Sequence, residues 1–218
     1  MKPMCLNRPL ILIMLLFSPL VIRAETLLVV GDSISAGYGL DRVEEGWVSL
    51  LGKKLEARGI QVVNAGISGD TSAGGLDRMG GLLKRYSPSI VVIELGGNDG
   101  LRGLTPAQME HNLDAMVELA RQVSAQTLLL GMKMPPNYGA RYADMFERVY
   151  RDVARKQQIA LLPFLLEGVG GQTELMQADG IHPNRQAQPI IAEQVVKALE
   201  PLLDHGRPKK VKKKVIPR

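Results

Sequence analysis

Ser33 stands three residues beyond an apolar run, Leu27-Leu28-Val29-Val30, with Gly31 and Asp32 between. The run reads as a short strand buried on both faces, and the glycine permits a tight turn at its end. Ligands bind outside the carboxyl ends of strands in open α/β sheets, so a serine placed there is placed for use as a nucleophile. Such a hydroxyl needs a base, an acid to orient the base, and donors for a developing oxyanion. Of the three histidines, His111 falls on an expected helix and His205 in the terminal segment. His182 has Asp179 three residues before it and Pro183 directly after. Within a turn, that spacing lets a carboxylate reach the imidazole, set its tautomer and stabilise the imidazolium. The candidate donors are the backbone N–H of Gly69, in the loop from Gly66 to Ser72, and the amide of Asn98, after Gly97. Each group alone has an ordinary reading too: a serine or aspartate capping a helix, a glycine or asparagine making a turn.

The elements that must position these groups follow from apolar periodicity. Helical spacing runs from Gly46 to Ala57 and stops at Gly59. Ile60 to Ala65 reads as a second strand, Leu76 to Tyr86 as a helix, and Ile90 to Leu95 as a third strand entering a Gly96–Gly100 loop. Thr105-Pro106 supplies an N-cap and a first-turn proline for a helix reaching about Val123. Thr127 to Gly131 is a fourth strand, Arg141 to Gln157 a helix, and Ile159 to Pro163 a fifth strand. An irregular stretch precedes Asp179, and a last helix spans about Arg185 to Leu203. Strands alternating with helices over short connections predict an α/β fold, a parallel sheet with helices on both faces.

Four blocks in this order resemble those of the GDSL/SGNH hydrolase family: Gly31-Asp32-Ser33, the Gly66–Ser72 loop, Gly96-Gly97-Asn98-Asp99, and Asp179-Gly180-Ile181-His182-Pro183-Asn184. The similarity runs from about Glu25 to His205 and is most specific to the periplasmic thioesterase I, lysophospholipase and arylesterase subgroup. It implies a three-layer flavodoxin-like sandwich whose five parallel strands lie in the order 2-1-3-4-5. It implies Ser33 as nucleophile, His182 as base and Asp179 as its orienter, with Ser33, Gly69 and Asn98 forming the oxyanion hole. Apolar residues at the same sheet edge, Leu101, Leu104, Met134 and Pro135, are the candidates for acyl binding. Competing motifs fail. Ser35 occupies the last glycine of an α/β-hydrolase elbow, and no phosphate-binding or dinucleotide glycine pattern follows a strand. Three scattered histidines offer no zinc cluster, so neither metal nor cofactor is expected.

The chain has 218 residues, 45% of them apolar and 22% charged, enough for one well-buried core. Residues 1–24 read as a signal peptide: Lys2 and Arg8 precede an apolar run from Pro9 to Ile22, and Ala24 ends it. An uncleaved anchor is the other reading. The lone Cys5 lies in this leader, so the mature chain would hold no disulfide, catalytic thiol or cysteine-based zinc site. Residues 25–206 form the expected hydrolase domain and residues 207–218 a disordered polybasic tail. The net charge of +5 misleads, because three of 27 basic residues lie in the leader and seven in the last twelve positions. The remaining 17 face 22 acids, a body near −5 that speaks against nucleic acid as a partner. The tail is either a solvated end or a peripheral tether to anionic membrane or envelope polymer. The expected protein is an exported monomer acting on small acyl esters or lipids. A carbohydrate-ester deacetylase with the same groups, or a non-catalytic envelope-binding protein using the tail, are the alternatives.

Overall fold

The computed structural model describes residues 25–204. The leader with Cys5, His205 and the polybasic tail lie outside the described residues. Five parallel strands, β1 (Glu25–Gly31), β2 (Ile60–Asn64), β3 (Ile90–Glu94), β4 (Gln126–Leu130) and β5 (Ala160–Leu162), are ordered β2-β1-β3-β4-β5. This is the order the resemblance implies. The three central strands carry the continuous apolar runs: Leu27–Val30, Ile90–Ile93 and Leu128–Leu130 are wholly inaccessible to solvent. Edge strands β2 and β5 are only half-buried, as strands with one neighbour should be.

Among the described residues seven α-helices complete the fold: α1 (Ser33–Ala36), α2 (Trp47–Leu55), α3 (Ser72–Tyr86), α4 (Gly97–Leu101), α5 (Pro106–Gln122), α6 (Ala140–Gln157) and α7 (Gln188–Asp204). They cover both sides of the sheet, with α2 packed on α7, and α5 packed between α3 and α6. Trp47, fully buried, donates its indole N–H to the Ile34 carbonyl at 3.1 Å, and its backbone N–H bonds Gln188 Oε1 at 3.0 Å. That pair of bonds ties α1 to α2 and α7. Among the described residues no helix is long and apolar enough to cross a membrane.

Three boundaries differ most from the sequence reading. Helix α3 begins at Ser72 rather than Leu76, because Thr71 caps it through Gly74 N–H and its opening glycines hide the periodicity. The Gly96–Gly100 segment is not a plain loop: α4 starts at Gly97, so Asn98 sits on a helical turn. The last helix starts at Gln188, since Asn184 Oδ1 caps a preceding turn by accepting the N–H of Gln186 and Ala187. The capped start of α5 is as read, with Thr105 and Gln108 forming a reciprocal capping box.

Candidate active site

Register sets the site. Gly31 at the end of β1 lies level with Glu94 at the end of β3, so the residues after both strands emerge on one edge. Asp32 caps the short α1 by accepting the Ile34 N–H at 3.0 Å, and Ser33 is its first residue. Gly31 is demanded by close approach, not by its backbone angles: a Cβ there would lie 2.2 Å from Ser35 Oγ and 2.7 Å from Glu94 Oε2.

His182 Nε2 lies 2.8 Å from Ser33 Oγ, although 149 positions separate them in the chain. Its Nδ1 lies 2.7 Å from Asp179 Oδ2. The other carboxylate oxygen accepts the backbone N–H of Ile181 (2.9 Å) and His182 (3.0 Å). Burial alone would raise the Asp179 carboxyl, but the His182 backbone N–H, its imidazole and the Ile181 N–H pull it down to about 2. An ionised Asp179 only accepts, so Nδ1 carries the hydrogen and Nε2 is left free to accept from the Ser33 hydroxyl. Tyr38 lies against the imidazole, ring centroids 4.6 Å apart. Gln177 holds that corner by donating to the carbonyls of Tyr38 (2.7 Å) and Pro183 (3.1 Å). His111 is exposed and plays no part at this edge.

On the opposite side of Ser33 lies a polar network. Gly69 has φ +80°, a left-handed conformation that favours glycine. Asn98 Nδ2 donates to Asp32 Oδ2 (3.1 Å) and to the Asp70 carbonyl (2.9 Å), which places Asn98 beside the Gly69 loop. Arg78 pins that loop: its guanidinium reaches Asp70 Oδ2 (2.8 Å), the Ala65 carbonyl (2.6 Å) and the Gly31 carbonyl (3.1 Å). Buried Asp99 accepts the Ser72 N–H at 2.8 Å and its hydroxyl, joining α3 to α4. Behind Ser33, wholly buried Glu94 accepts from Ser35 Oγ (2.6 Å) and the Asp32 N–H (3.2 Å). Burial, then the neighbouring Asp32 charge, hold the Glu94 carboxyl well above its ordinary range. Asp32 is raised by burial to about 6, against the lowering effect of the Ile34 N–H, His182 and Asn98.

A cavity of about 520 Å³ opens onto Ser33, Asn98 and His182. Leu101, Met134 and Pro135 line one side, and Phe164, Leu166 and Met176 the other. Leu104 does not line it. After α4 the chain turns at Gly103 (φ +68°), the Leu104 N–H bonds the Asp99 carbonyl, and the side chain is left 37% exposed. Among the described residues no cluster of three or more metal-ligating side chains occurs.

Comparison with known proteins identifies the family. Residues 29–188 match the model of the GDSL-like lipase/acylhydrolase family. The chain belongs to that family. It is 59% identical to esterase TesA of Pseudomonas aeruginosa over 182 residues, 83% of this chain and 90% of the relative. It is 46% identical to the thioesterase 1/protease 1/lysophospholipase L1 of Escherichia coli K12, over 84% of this chain and 86% of that one. The crystal structure of TesA superposes with a TM-score of 0.79 at 58% identity, covering 82% of this chain and 99% of its own.

In this acylhydrolase the structure brings together Ser33, His182, Asp179, Asn98, Leu101, Met134 and Pro135 at one edge, with Gly69 in the adjoining loop, and leaves Leu104 outside the cavity. Sequence reasoning missed the far cavity wall, Arg78 and the Asp32–Glu94 pair. The wall had a faint signal, since the apolar Phe164-Leu165-Leu166 follows β5 at the same sheet edge. Glu94 had a clearer one: an acid ending a run of four apolar residues is buried at a cost and needs partners.

Proposed function

We propose that this ester hydrolase works through an acyl-enzyme on Ser33, taking carboxylic esters and thioesters with an apolar acyl chain. Its candidate substrates are acyl esters, lysophospholipids, aryl esters and acyl thioesters. The observation that carries the reading is the Ser33–His182–Asp179 hydrogen-bonded line at the mouth of an apolar cavity. His182 Nε2 takes the Ser33 proton as Oγ attacks the acyl carbonyl, and Asp179 stabilises the imidazolium. The oxyanion rests on the backbone N–H groups of Ser33 and Gly69 and on the Asn98 amide. The imidazolium protonates the leaving alcohol or thiol, and His182 then activates the water that clears the acyl-enzyme. The apolar wall favours an acyl chain over the carbohydrate ester of a deacetylase.

Ser33→Ala is expected to abolish hydrolysis of p-nitrophenyl acyl esters while leaving the circular dichroism and melting temperature of the wild type. Retained turnover by the purified variant refutes the acyl-enzyme. Export belongs to the same proposal, supported by the basic-then-apolar leader ending at Ala24. N-terminal sequencing of the exported protein is expected to start at Glu25.

A further inference from the structure

The Asn98 amide is engaged before any substrate arrives. Both of its Nδ2 hydrogens have acceptors, Asp32 Oδ2 at 3.1 Å and the Asp70 carbonyl at 2.9 Å. An ionised carboxylate and a carbonyl can only accept, so the nitrogen must face them and Oδ1 must face away. The Asp70 carbonyl belongs to the residue next to Gly69, on the loop side of the amide. Asp32 is a different kind of partner. It is 2% exposed, its other oxygen is committed to the Ile34 N–H at 3.0 Å, and its own N–H is bound to buried Glu94. Glu94 is in turn held by Ser35 Oγ. The Asp70 contact is made by a loop carbonyl, and the Asp32 contact is anchored in the core.

From this arrangement we propose that Asp32 is a positioning residue: its carboxylate fixes which end of the Asn98 amide faces the reacting carbonyl and holds it there. The Asn98 N–H now on the Asp70 carbonyl is the one handed to the oxyanion, while the N–H on Asp32 stays in place. The inference rests on the assignment of Ser33 as nucleophile and Asn98 as oxyanion donor. It gives the residue before the serine a task beyond capping α1. The carboxylate serves two donors at once, one oxygen each, which no neutral side chain of its size can do.

Two variants separate positioning from capping. In Asp32→Ser the hydroxyl still caps Ile34 but is too short to reach Asn98. In Asp32→Asn the shape is kept, but one oxygen must choose between Ile34 and Asn98. Each is compared with Asn98→Ala and with the double variant, at pH 8 on p-nitrophenyl butyrate. Both single variants are expected to lose about 30-fold or more in kcat, with KM little changed, because a lost oxyanion donor costs about 10²–10³ in kcat. The double variants are expected within about threefold of Asn98→Ala, since residues acting as one unit are not additive.

Asp32 variants that keep wild-type kcat overturn the proposal. So do losses that multiply with that of Asn98→Ala, or a fall in kcat that merely tracks a fall in melting temperature. If Asp32→Ser does not fold, the Asp32→Asn cycle decides alone. A wild type that is inert toward esters and unlabelled at Ser33 by a fluorophosphonate would instead sink the underlying hydrolase reading.

Discussion

Two carboxylates flank Ser33, and each holds one polar side chain that the proposed mechanism uses. Asp179 holds His182 from a half-exposed loop, and Asp32 holds Asn98 from the buried end of β1. Their environments push them in opposite directions. Three hydrogen bonds bring Asp179 down to about 2, whereas burial lifts Asp32 to about 6 and Glu94 behind it higher still. The difference matches the tasks. A group that stabilises a transient imidazolium must stay ionised and close to water, and donors achieve that. A group that only orients an amide needs a fixed acceptor, and burial supplies the rigidity. Environment, not residue type, divides the work.

Removing the charge on the loop side gives the largest expected effect. In Asp179→Asn the side-chain oxygen can still accept from the Ile181 and His182 N–H, but an amide NH2 then faces His182 Nδ1. The imidazole is driven to the tautomer with its hydrogen on Nε2 and can no longer accept from Ser33. A loss of about 10⁴ in kcat follows, with the modest fall in melting temperature that losing the Asp179 charge brings. Steady-state kinetics on p-nitrophenyl butyrate beside a thermal melt checks both halves. A loss below tenfold would break the contrast, because Asp179 would then be no more than a loop tie.

The loop side was the more legible half of the site. Asp179 and His182 are neighbours in sequence, so spacing alone brings them together, and the family blocks add Ser33. The five strands were equally open to reading, because central parallel strands are continuous apolar runs with nothing to disguise them, whereas their order came only with the family resemblance. The buried side resisted. Asp32 caps α1, and no spacing reveals that its second oxygen meets a side chain 66 positions away. Arg78 lies mid-helix on α3, and only the folded edge shows that it reaches three separate strand ends and loops. Leu104 was misplaced for a similar reason: the turn at Gly103 decides where it points, and apolarity does not.

The buried side is tested by cutting the contacts of Arg78. Arg78→Met leaves the carbonyls of Gly31 and Ala65 without that donor and Asp70 without its ion pair. The expected cost is about 1–3 kcal/mol of stability, measured by urea unfolding. Because the same contacts hold the Gly69 loop, kcat should fall roughly tenfold to a hundredfold, the range a small misplacement gives. Lost stability with intact kcat would show that the loop is held by other means.

The opposite shifts also predict opposite pH dependences in separate windows. Asp179, lowered from its ordinary 3.8 to about 2, contributes stability present above 3.8 and lost as pH falls toward 2. Glu94 is raised, so the folded state keeps a proton that the unfolded chain releases above about 4.5. Its contribution is complete below that pH and is lost as pH rises, and Asp32 adds a loss of the same sign between 3.8 and about 6. Glu94→Gln copies the neutral acid and cannot titrate. Its melting temperature should decline less than the wild type's between pH 5 and 9, and the two should converge near pH 4. Parallel curves would mean that Glu94 is not held neutral by the fold.

The smallest expected effect concerns what else the loop side carries. The segment from 163 to 187 supplies His182 and Asp179, and also Phe164, Leu166 and Met176 on the cavity wall. The Asp32 side contributes Ile34 and, on α4 with Asn98, Leu101. Specificity should therefore be adjustable from the loop without disturbing the Asn98 donor. Phe164 is a suitable probe, since its ring lines the cavity with the Lys133 ammonium 4.6 Å from its centroid. Phe164→Ala removes contacts along an acyl chain but none near the carbonyl. Each buried CH2 is worth about 0.8 kcal/mol, close to fourfold, so kcat/KM for an octanoyl ester should fall about four- to tenfold. The acetyl ester, too short to meet the ring, should stay within about twofold by the same reasoning. An equal fall for both esters would mean that the wall also positions His182, and the division between the two sides of Ser33 would have to be redrawn.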